Sequence, residues 1–553
     1  MLAGRSTTIA SCVAVTLLAV GPAAADGVLR YQGVLQGEVV ATGNALGLSK
    51  AAGTNAPGTL GSIGTFIAAA AAAVDGTYPA GTTSDWTLNG STAVLDLPDG
   101  AEVIYAELVW GGSYDYGGEN LASALDDAPT LEVGGLSIMP TPDPTTALTV
   151  AATGDATTFR YYVRSAEVTT FVSAHGAGTY RLSRVPATQG DTVDALNAAG
   201  WALVVVVGTD DGPPRAVRLS IGGGFVEGET AQDYEFTGLC PIGGDDPGRV
   251  VIAALEGDAA QQGDQVRTGA SLATLTELTG ANNVADNFFA SQINDGAGAL
   301  DTRGSMGTRN HDAASATNVS GGRQGWDITT VALADGSVAS GQDAFAIRVA
   351  STGDAVVTAL AAVELEARAA WFAPSSPTLV PATVVGTAPA TLTVALTNQG
   401  VVAAEDVTLT LPSPSELTVT ALEIDGQPVV AADLAAGVPL GTIAAGATTT
   451  VTITLSSATA GAFSLAPRWS YAFVGCAGGG STVGEAAAEP VTLTVTAVDG
   501  GVDAGVGGSD AGAPGVDDGG GGCGCGSSRA PAGDGALAVA VLGLIWVLTR
   551  RRI

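Results

Sequence analysis

Between residues 371 and 498, apolar and threonine side chains alternate with a period of two. The alternation is clearest in residues 392–397, 407–411, 450–455 and 491–495. This pattern places apolar side chains on one face of a strand and polar side chains on the other, as in a half-buried antiparallel sheet. Turn-forming residues separate the runs, as at Asn398–Gly400 and Asp425–Gly426. About seven strands within such a length predict an immunoglobulin-like β-sandwich.

The region before it, residues 26–370, contains longer and more apolar runs. The predicted strands are Ala101–Trp110, Thr158–Val163, Gly178–Val185, Trp201–Val207, Ala216–Ile221, Val250–Leu255, Ala344–Val349 and Val356–Leu365. The run that starts at Trp201 is apolar throughout, which predicts a central strand buried on both faces. Helical periodicity is rare, although the alanines of residues 68–73 predict one short helix. We therefore expect an all-β chain whose first domain is a large, jelly-roll-like antiparallel sandwich.

The first 25 residues have the order of a secretory signal. One arginine precedes an apolar run from Ile9 to Val20, and small residues follow it. The apolar run is too short to span a membrane stably, which takes about 20 residues. Ala23 and Ala25 occupy the positions that signal peptidase reads, so cleavage is predicted before Asp26. The expected partners are the secretion machinery and signal peptidase.

The other end of the chain predicts a linker followed by an anchor. Residues 499–522 are rich in glycine and aspartate and lack core-forming side chains, which is typical of a flexible linker. Residues 523–553 carry Cys523 and Cys525, then an apolar run at Gly535–Thr549. The run predicts a transmembrane helix of marginal length. Its cytoplasmic end is set by three basic residues, Arg550, Arg551 and Arg552.

The order of cysteine motif, short apolar helix and terminal arginines resembles the myxobacterial C-terminal sorting signal MYXO-CTERM. The resemblance implies processing at a cysteine by the intramembrane protease myxosortase, which leaves the protein at the outer surface. Either Cys523 or Cys525 would be the processed residue. The alternative is an ordinary single-pass membrane anchor. A zinc site is disfavoured, because two cysteines without a nearby histidine supply only two ligands.

Two further resemblances concern the folded part. The segments LGTIAAG at residues 440–446 and TLTVALTNQGVVAAEDVTLTLP at 391–412 resemble the DUF11/CARDB class of bacterial cell-surface sandwich domains. That resemblance implies a spacer or adhesive module without catalytic residues. YAELVWGG, DNFFASQIN and GWDITTVAL in the first domain resemble a domain that precedes such modules in exported surface proteins, and this second resemblance implies no activity.

Charge and cysteine content narrow the classes of partner. The formal net charge is −33, and so negative a surface repels nucleic-acid backbones. Two of the five cysteines, Cys240 and Cys476, lie in the predicted folded part. In an oxidising compartment they could pair and join the two domains. Two separate buried thiols are the alternative.

Candidate chemistry is sparse. The chain has two histidines, His175 in a predicted turn and His311 in a polar loop, and it lacks the GxSxG, HExxH and P-loop motifs. Acidic loops offer oxygen ligands for Ca²⁺, although Asp-Gly clusters are also common in ordinary turns. The candidate calcium ligands are Asp210, Asp211, Asp245, Asp246, Glu256, Asp258 and Asp264. We expect no other cofactor.

These observations predict a non-enzymatic protein anchored at the cell surface, with an adhesive, structural or ligand-binding role and a ligand that the sequence does not identify. The alternative is a secreted glycan hydrolase with an accessory sandwich, which requires a cleft holding two carboxylates. Aromatic side chains could form a sugar platform in such an enzyme, with core packing as the alternative for Phe288 and Phe289. The platform candidates are Tyr114, Tyr116, Trp326, Phe288 and Phe289.

Overall fold

The computed structural model describes residues 27–498, except residues 52, 55, 60–62, 155–156, 190–196, 210–211, 374, 413–414 and 431–432. This part of the chain is all-β, with antiparallel sheets stacked as sandwiches, so the predicted fold class is confirmed. The predicted signal segment, linker and C-terminal helix lie outside the described residues. Within the described residues, no helix has the length and apolar character needed to cross a membrane.

Twenty-three strands precede residue 370. They are β1 Val28–Ala45, β2 Gly47–Ser49, β3 Ile63–Ile67, β4 Thr82–Thr83, β5 Gly90–Leu95, β6 Glu102–Tyr116, β7 Glu119–Asn120, β8 Thr130–Val133, β9 Leu136–Ile138, β10 Leu148–Gly154, β11 Thr157–Glu167, β12 Gly178–Ser183, β13 Ala199–Gly208, β14 Pro214–Ile221, β15 Phe225–Val226, β16 Ala231–Phe236, β17 Gly248–Leu255, β18 Asp264–Gly269, β19 Thr276–Glu277, β20 Arg323–Gln324, β21 Trp326–Ala332, β22 Phe345–Ser351 and β23 Val356–Glu366.

Twelve strands follow. They are β24 Thr378–Val380, β25 Thr383–Val385, β26 Ala390–Thr397, β27 Ala404–Thr410, β28 Leu417–Ile424, β29 Gln427–Val429, β30 Val438–Ile443, β31 Thr448–Ser457, β32 Gly461–Leu465, β33 Arg468–Phe473, β34 Thr482–Ala487 and β35 Val491–Thr496. The described helices are the α-helix α1 Thr169–His175 and the two 3-10 helices Trp86–Leu88 and Ala122–Ala124.

The first strand belongs to two sheets at once. Residues 28–36 of β1 pair with β14, and residues 37–45 pair with β13. Sheet I therefore runs β10-β11-β6-β13-β1, and sheet II runs β1-β14-β23-β17-β21. The strand crosses between them at Gly37, which has a φ of 152°. A side chain at Gly37 would overlap the carbonyl group of Val207, so the crossing requires glycine.

Sheets I and II are the inner layers of a four-layer stack. One apolar layer lies between them, with Val204 and Val206 of β13 on one side and Val251 of β17 on the other. Sheet III, β5-β12-β8-β9, packs on the outer face of sheet I, where it meets Leu203 and Val205. Strand β13 is therefore buried on both faces, as its continuous apolar run predicts.

Sheet IV, β16-β22-β18-β19, covers the outer face of sheet II. Its Tyr234 and Ile347 pack with Ile252 and Val363 of sheet II in a second apolar cluster. The same cluster continues into the sandwich of residues 371–498, through side chains such as Leu392. The described residues through Val498 accordingly form one compact unit. The division into domains at residue 370 stays a prediction.

The C-terminal sandwich has the alternation predicted from its sequence. Sheet β24-β26-β31-β28-β29 faces sheets β30-β27-β33-β34 and β25-β35-β32. In β31, Val451, Ile453 and Leu455 are fully buried, while Thr452 and Thr454 are partly exposed. Apolar side chains thus point inward and threonines outward, as a half-buried strand requires.

One local prediction is wrong. Residues 68–73 do not form a helix: Ala68 extends β3 by a bridge to Asn89, and bends and turns follow. Alanine favours a helix, but so short a segment cannot offset the cost of helix nucleation. Hydrogen bonds from the N–H groups of Ala68 and Ala69 to the carbonyls of Gly81 and Leu88 tie its first residues to other segments instead.

A disulfide joins the two halves of the compact unit. Cys240 follows β16 and Cys476 follows β33, and their Cα atoms lie 5.4 Å apart across a sequence separation of 236 residues. Of the two predicted alternatives, the structure shows the disulfide: the two sulfurs are bonded to each other and are not separate buried thiols. The neighbouring main chain is held as well, because Arg368 Nε donates to the carbonyl of Gly475 at 3.3 Å.

Candidate functional site

Three of the predicted calcium ligands lie together at one end of sheets II and IV. Glu256 is the first residue after β17, Asp258 lies two residues further, and Asp264 begins β18. Asp354 joins them from the turn between β22 and β23, and Asp327 joins them from β21, opposite Ala254 of β17. We call these five side chains the carboxylate cluster.

The cluster is buried, and no basic side chain among the described residues pairs with it. Glu256, Asp258, Asp264, Asp327 and Asp354 are 6%, 8%, 0%, 2% and 5% exposed, respectively. None of the ion pairs in the described part of the chain includes any of them. Ionised carboxylates buried without a counter-charge are strongly unfavourable, so they take up protons or bind a cation.

Main-chain N–H groups satisfy part of the cluster. Asp258 Oδ1 accepts hydrogen bonds from the N–H groups of Ala260 and Gln261, each at 3.0 Å. It also accepts one from Asn318 Nδ2 at 3.2 Å. The N–H of Asp258 in turn donates to Asp354 Oδ2 at 3.4 Å, which ties these two loops together.

The two strand-borne aspartates are held in the same way. Asp327 Oδ1 accepts from the N–H groups of Ala290 and Gln292, at 2.9 and 2.8 Å. Asp264 Oδ2 accepts from the N–H of Phe289 at 2.6 Å. The long segment between β19 and β20 is therefore folded over the cluster, and it contributes the groups that orient both carboxylates.

Several oxygens near the cluster accept no hydrogen bond within the described part of the chain. They are Glu256 Oε2, Asp264 Oδ1 and Asp327 Oδ2, together with the amide oxygen of Asn287. Asn287 is fully buried, and its Nδ2 donates to the carbonyl of Ala259 at 2.9 Å, beside Asp258. Carboxylate and amide oxygens with free lone pairs are the type of donor that suits a hard cation.

Electrostatics separate these carboxylates from ordinary surface acids. Burial raises the pKa of Glu256 well above its usual range, and the charges of Asp354, Asp258, Asp327 and Asp264 raise it further. Burial is also the main reason that the pKa of Asp264 rises to about 7. The shared cause is desolvation among like charges, which favours whatever neutralises the group.

The carboxylate oxygens do not crowd around one point. Among the described residues, the only three Cys, His, Asp or Glu ligand atoms that lie mutually within 4.8 Å come from Cys240, Asp343 and Cys476. The two sulfurs of that set are joined in the disulfide, so they offer no thiolate to a metal. A cation at the carboxylate cluster would therefore combine at most two close carboxylates with neutral oxygens or water.

The other predicted acidic ligands lie elsewhere. Asp245 and Asp246 are exposed in the turn before β17, at the opposite end of that strand from Glu256. Asp246 donates its N–H to Asp335 Oδ1 at 3.0 Å, as in an ordinary turn. Asp210 and Asp211 lie outside the described residues. Within the described residues, the calcium prediction therefore remains a hypothesis for Glu256, Asp258 and Asp264, and for Asp210 and Asp211 it stays an untested prediction.

Both histidines serve local structure. His311 is 1% exposed, and its Nδ1 accepts the N–H of Val319 at 2.7 Å, so the neutral ring carries its proton on Nε2. His175 ends α1, where its Nδ1 lies 2.6 Å from the carbonyl oxygen of Phe171 and its ring lies against the Phe171 ring at 4.5 Å. A proton-transfer role requires access to substrate, which burial denies to His311.

The predicted sugar platform is wrong for most of its members. Trp326, Phe288 and Phe289 are fully buried, and Tyr116 is only 4% exposed. Phe288 and Phe289 pack edge to face with ring centroids 5.0 Å apart, so core packing is their role. Large aromatic side chains in so apolar a chain are used to fill the layers between sheets.

The buried position of His311 predicts a pH dependence of stability. Burial lowers its pKa from 6.5 to about 4, so the unfolded chain binds more protons between these values. Stability contributed by the neutral ring is present above pH 6.5 and is lost as the pH falls towards 4, by up to about 3 kcal/mol.

Urea unfolding of wild type and His311→Asn at several pH values measures this effect. Asparagine can still accept from Val319, and the carboxylates titrate alike in both proteins, so their difference isolates the histidine. The variant should lose less stability on acidification. Parallel pH curves for the two proteins would contradict the prediction.

Sequence reasoning missed two members of the carboxylate cluster. Asp327 had a signal, because it interrupts the otherwise apolar and threonine-rich strand WDITTVA at a buried position. Asp354 lies in the turn STGDAV and had none. No protein-family model matches the chain, and no curated protein matches it in sequence.

Proposed function

We propose that this chain is a non-enzymatic protein exported to the bacterial cell surface, where its β-sandwich stack is an adhesive, structural or ligand-binding body. In this proposal the first 25 residues direct secretion. The tail is a sorting signal of the MYXO-CTERM type, and residues 371–498 are a spacer of the DUF11/CARDB type. The membrane, signal peptidase and a myxosortase-like protease are its partners during export.

The disulfide between Cys240 and Cys476 is the observation that carries the proposal. Disulfides form and persist in oxidising compartments and are rare in the reducing cytosol. Here the bond joins residues 236 positions apart, so it ties the first region of the chain to the last sandwich. Such a long-range covalent cross-link suits a protein that works outside the cell.

Several surface depressions in the described part of the chain lack the carboxylate pair that glycan hydrolysis uses. Five surface depressions are each lined by a single carboxylate, which is Glu485, Asp343, Asp246 or Glu167. Glycoside hydrolysis generally uses two carboxylates that flank the scissile bond. The carboxylates that do lie together are buried beneath main chain, away from a polymer substrate.

The anchoring step can be tested in a myxobacterial host. Replacement of both Cys523 and Cys525 with alanine should leave the protein inserted but unprocessed, whereas deletion of residues 535–553 should release it from the membrane. Surface labelling and the mass of the mature protein are the measurements. Normal surface display of the double variant at the wild-type mass would show an ordinary membrane anchor instead.

A glycan array and a hydrolysis assay with the same purified protein address the activity. Retention of glycans without product supports a binding role. The control is a preparation from the same host without this protein, which should release no glycan. Release of shortened glycans by the purified protein alone would place the chain among secreted hydrolases and overturn the proposal.

A further inference from the structure

Beyond export and display, the carboxylate cluster requires a physical explanation. Five acidic side chains lie below the surface, and within the described residues none forms an ion pair. Elsewhere in the same region buried carboxylates do have basic partners: Glu107 pairs with Arg30, and Glu364 pairs with Arg249 and Arg215. At these two positions arginine therefore balances the negative charge of the buried carboxylate.

Free lone pairs give a second and independent indication of a ligand. Glu256 Oε2 is buried without a hydrogen-bond donor, and so is the neutral amide oxygen of Asn287. Asn287 is held beside the cluster at both ends, because its Nδ2 donates to Ala259 and the next N–H, that of Phe288, donates to the Asp264 carbonyl at 3.3 Å. A buried amide oxygen that accepts nothing is costly unless a cation or water occupies its lone pairs.

We propose that the carboxylate cluster binds one Ca²⁺ ion, with Glu256 and Asp354 as its carboxylate ligands. Carboxylate, amide and main-chain oxygens are the ligands that this hard cation prefers, and the six to eight oxygens it accepts include water. Main-chain N–H groups hold one oxygen of each of Asp258, Asp264 and Asp327, and both oxygens of Asp354. A carboxylate oxygen that accepts one N–H retains a lone pair for a cation, and Asp258, Asp264 and Asp327 supply negative charge around the ion.

Position supports the choice of Glu256 and Asp354. They follow β17 and precede β23, which are paired in sheet II up to Leu255 and Val357. Residues 260–262, which follow the buried Ala259, are exposed, so the cluster lies close to solvent. An ion here would join two strand ends of sheet II to the loop that covers them.

Calcium binding can be measured on the full chain, purified in a mild detergent and stripped with EGTA. Isothermal titration should show one Ca²⁺ bound per chain, and the melting temperature should rise by several degrees in millimolar Ca²⁺ because the ion binds only the folded state. Mg²⁺ should give a smaller rise, since it demands a tighter octahedral shell.

Three variants separate a ligand role from a merely structural one. Glu256→Gln and Asp354→Asn should weaken Ca²⁺ binding by more than about tenfold, as losses at metal sites commonly do. In EGTA Glu256→Gln should melt at or above the wild-type temperature, because the amide is neutral without taking up a proton. Asp354→Asn should melt lower in EGTA, because one of the two main-chain N–H groups that Asp354 accepts would lose its acceptor. Asp245→Asn is the matched control, since this exposed carboxylate lies at the other end of β17.

Two outcomes would overturn the proposal. One is a wild-type protein that shows neither heat of binding nor a change of melting temperature between Ca²⁺ and EGTA. The other is Ca²⁺ binding by Glu256→Gln and Asp354→Asn at wild-type affinity. Neither result depends on secretion, processing or surface display, so this test and that of the proposed function can fail separately.

Discussion

Replacing both Cys240 and Cys476 with serine is expected to lower the free energy of unfolding by about 3–5 kcal/mol. The disulfide closes a loop of 236 residues, and cross-links that close long loops remove the most conformational freedom from the unfolded chain. Urea unfolding of the double variant and of wild type under non-reducing conditions measures the difference.

A reducing agent provides the control. It should destabilise the wild-type protein to the level of the double variant and leave the double variant unchanged. A non-reduced digest of wild type should contain one linked peptide pair from the 240 and 476 regions. Two free thiols in freshly purified, denatured protein would show that the cysteines do not pair in the protein as isolated.

Glu364→Ala is expected to destabilise the protein by about 3–5 kcal/mol, the range for removing one partner of a buried ion pair. The carboxylate is 1% exposed and lies 2.6 Å from Arg249 Nε and 3.3 Å from Arg215 Nη1. It also accepts the N–H of Val39 at 2.6 Å. Truncation would leave Arg215 and the N–H of Val39 without this acceptor at the edge where sheets I and II meet, and Arg249 would retain only Glu38 as a carboxylate partner.

Glu366→Ala is the matched control. Glu366 lies two residues further along the same face of β23, is partly exposed, and is not part of any ion pair in the described region. Substitutions at such positions usually change stability by no more than about 0.5 kcal/mol. Equal losses for the two variants in denaturant titrations would show that the buried ion pairs do not hold the sheets together.

These two predictions and the calcium test concern three different contacts within the folded part of the chain. The disulfide joins the last sandwich to the first region, Glu364 joins sheets I and II, and the carboxylate cluster lies where the strands of sheet II end. A chain with 78 glycines and only 5% aromatic residues has many turns and small side chains. These specific contacts therefore add to the stability that its apolar layers provide. Each contact can be removed separately, so their contributions to the stability of the fold can be compared.

The sequence by itself determined the strands and the class of fold. Alternation with a period of two is a local property, and it identified β26, β27, β31 and β35 because each has one buried face. The apolar run at Trp201 likewise predicted a strand buried on both sides. The alanine run at residues 68–73 was misleading, because the intrinsic helix preference of a few residues is weaker than their hydrogen bonds to other segments of the chain.

Only the tertiary structure decided what lies beside what. That β1 belongs to two sheets depends on its register with β13 and β14, whose residues are far away in the sequence. The carboxylate cluster depends on the same long-range pairing, which brings Asp354 to Glu256 although their separation carries no motif. The cysteine pair remained open until the fold placed the two Cα atoms 5.4 Å apart. Periodicity reports which face of a strand is buried, whereas contacts between distant residues follow from the packing of the whole chain.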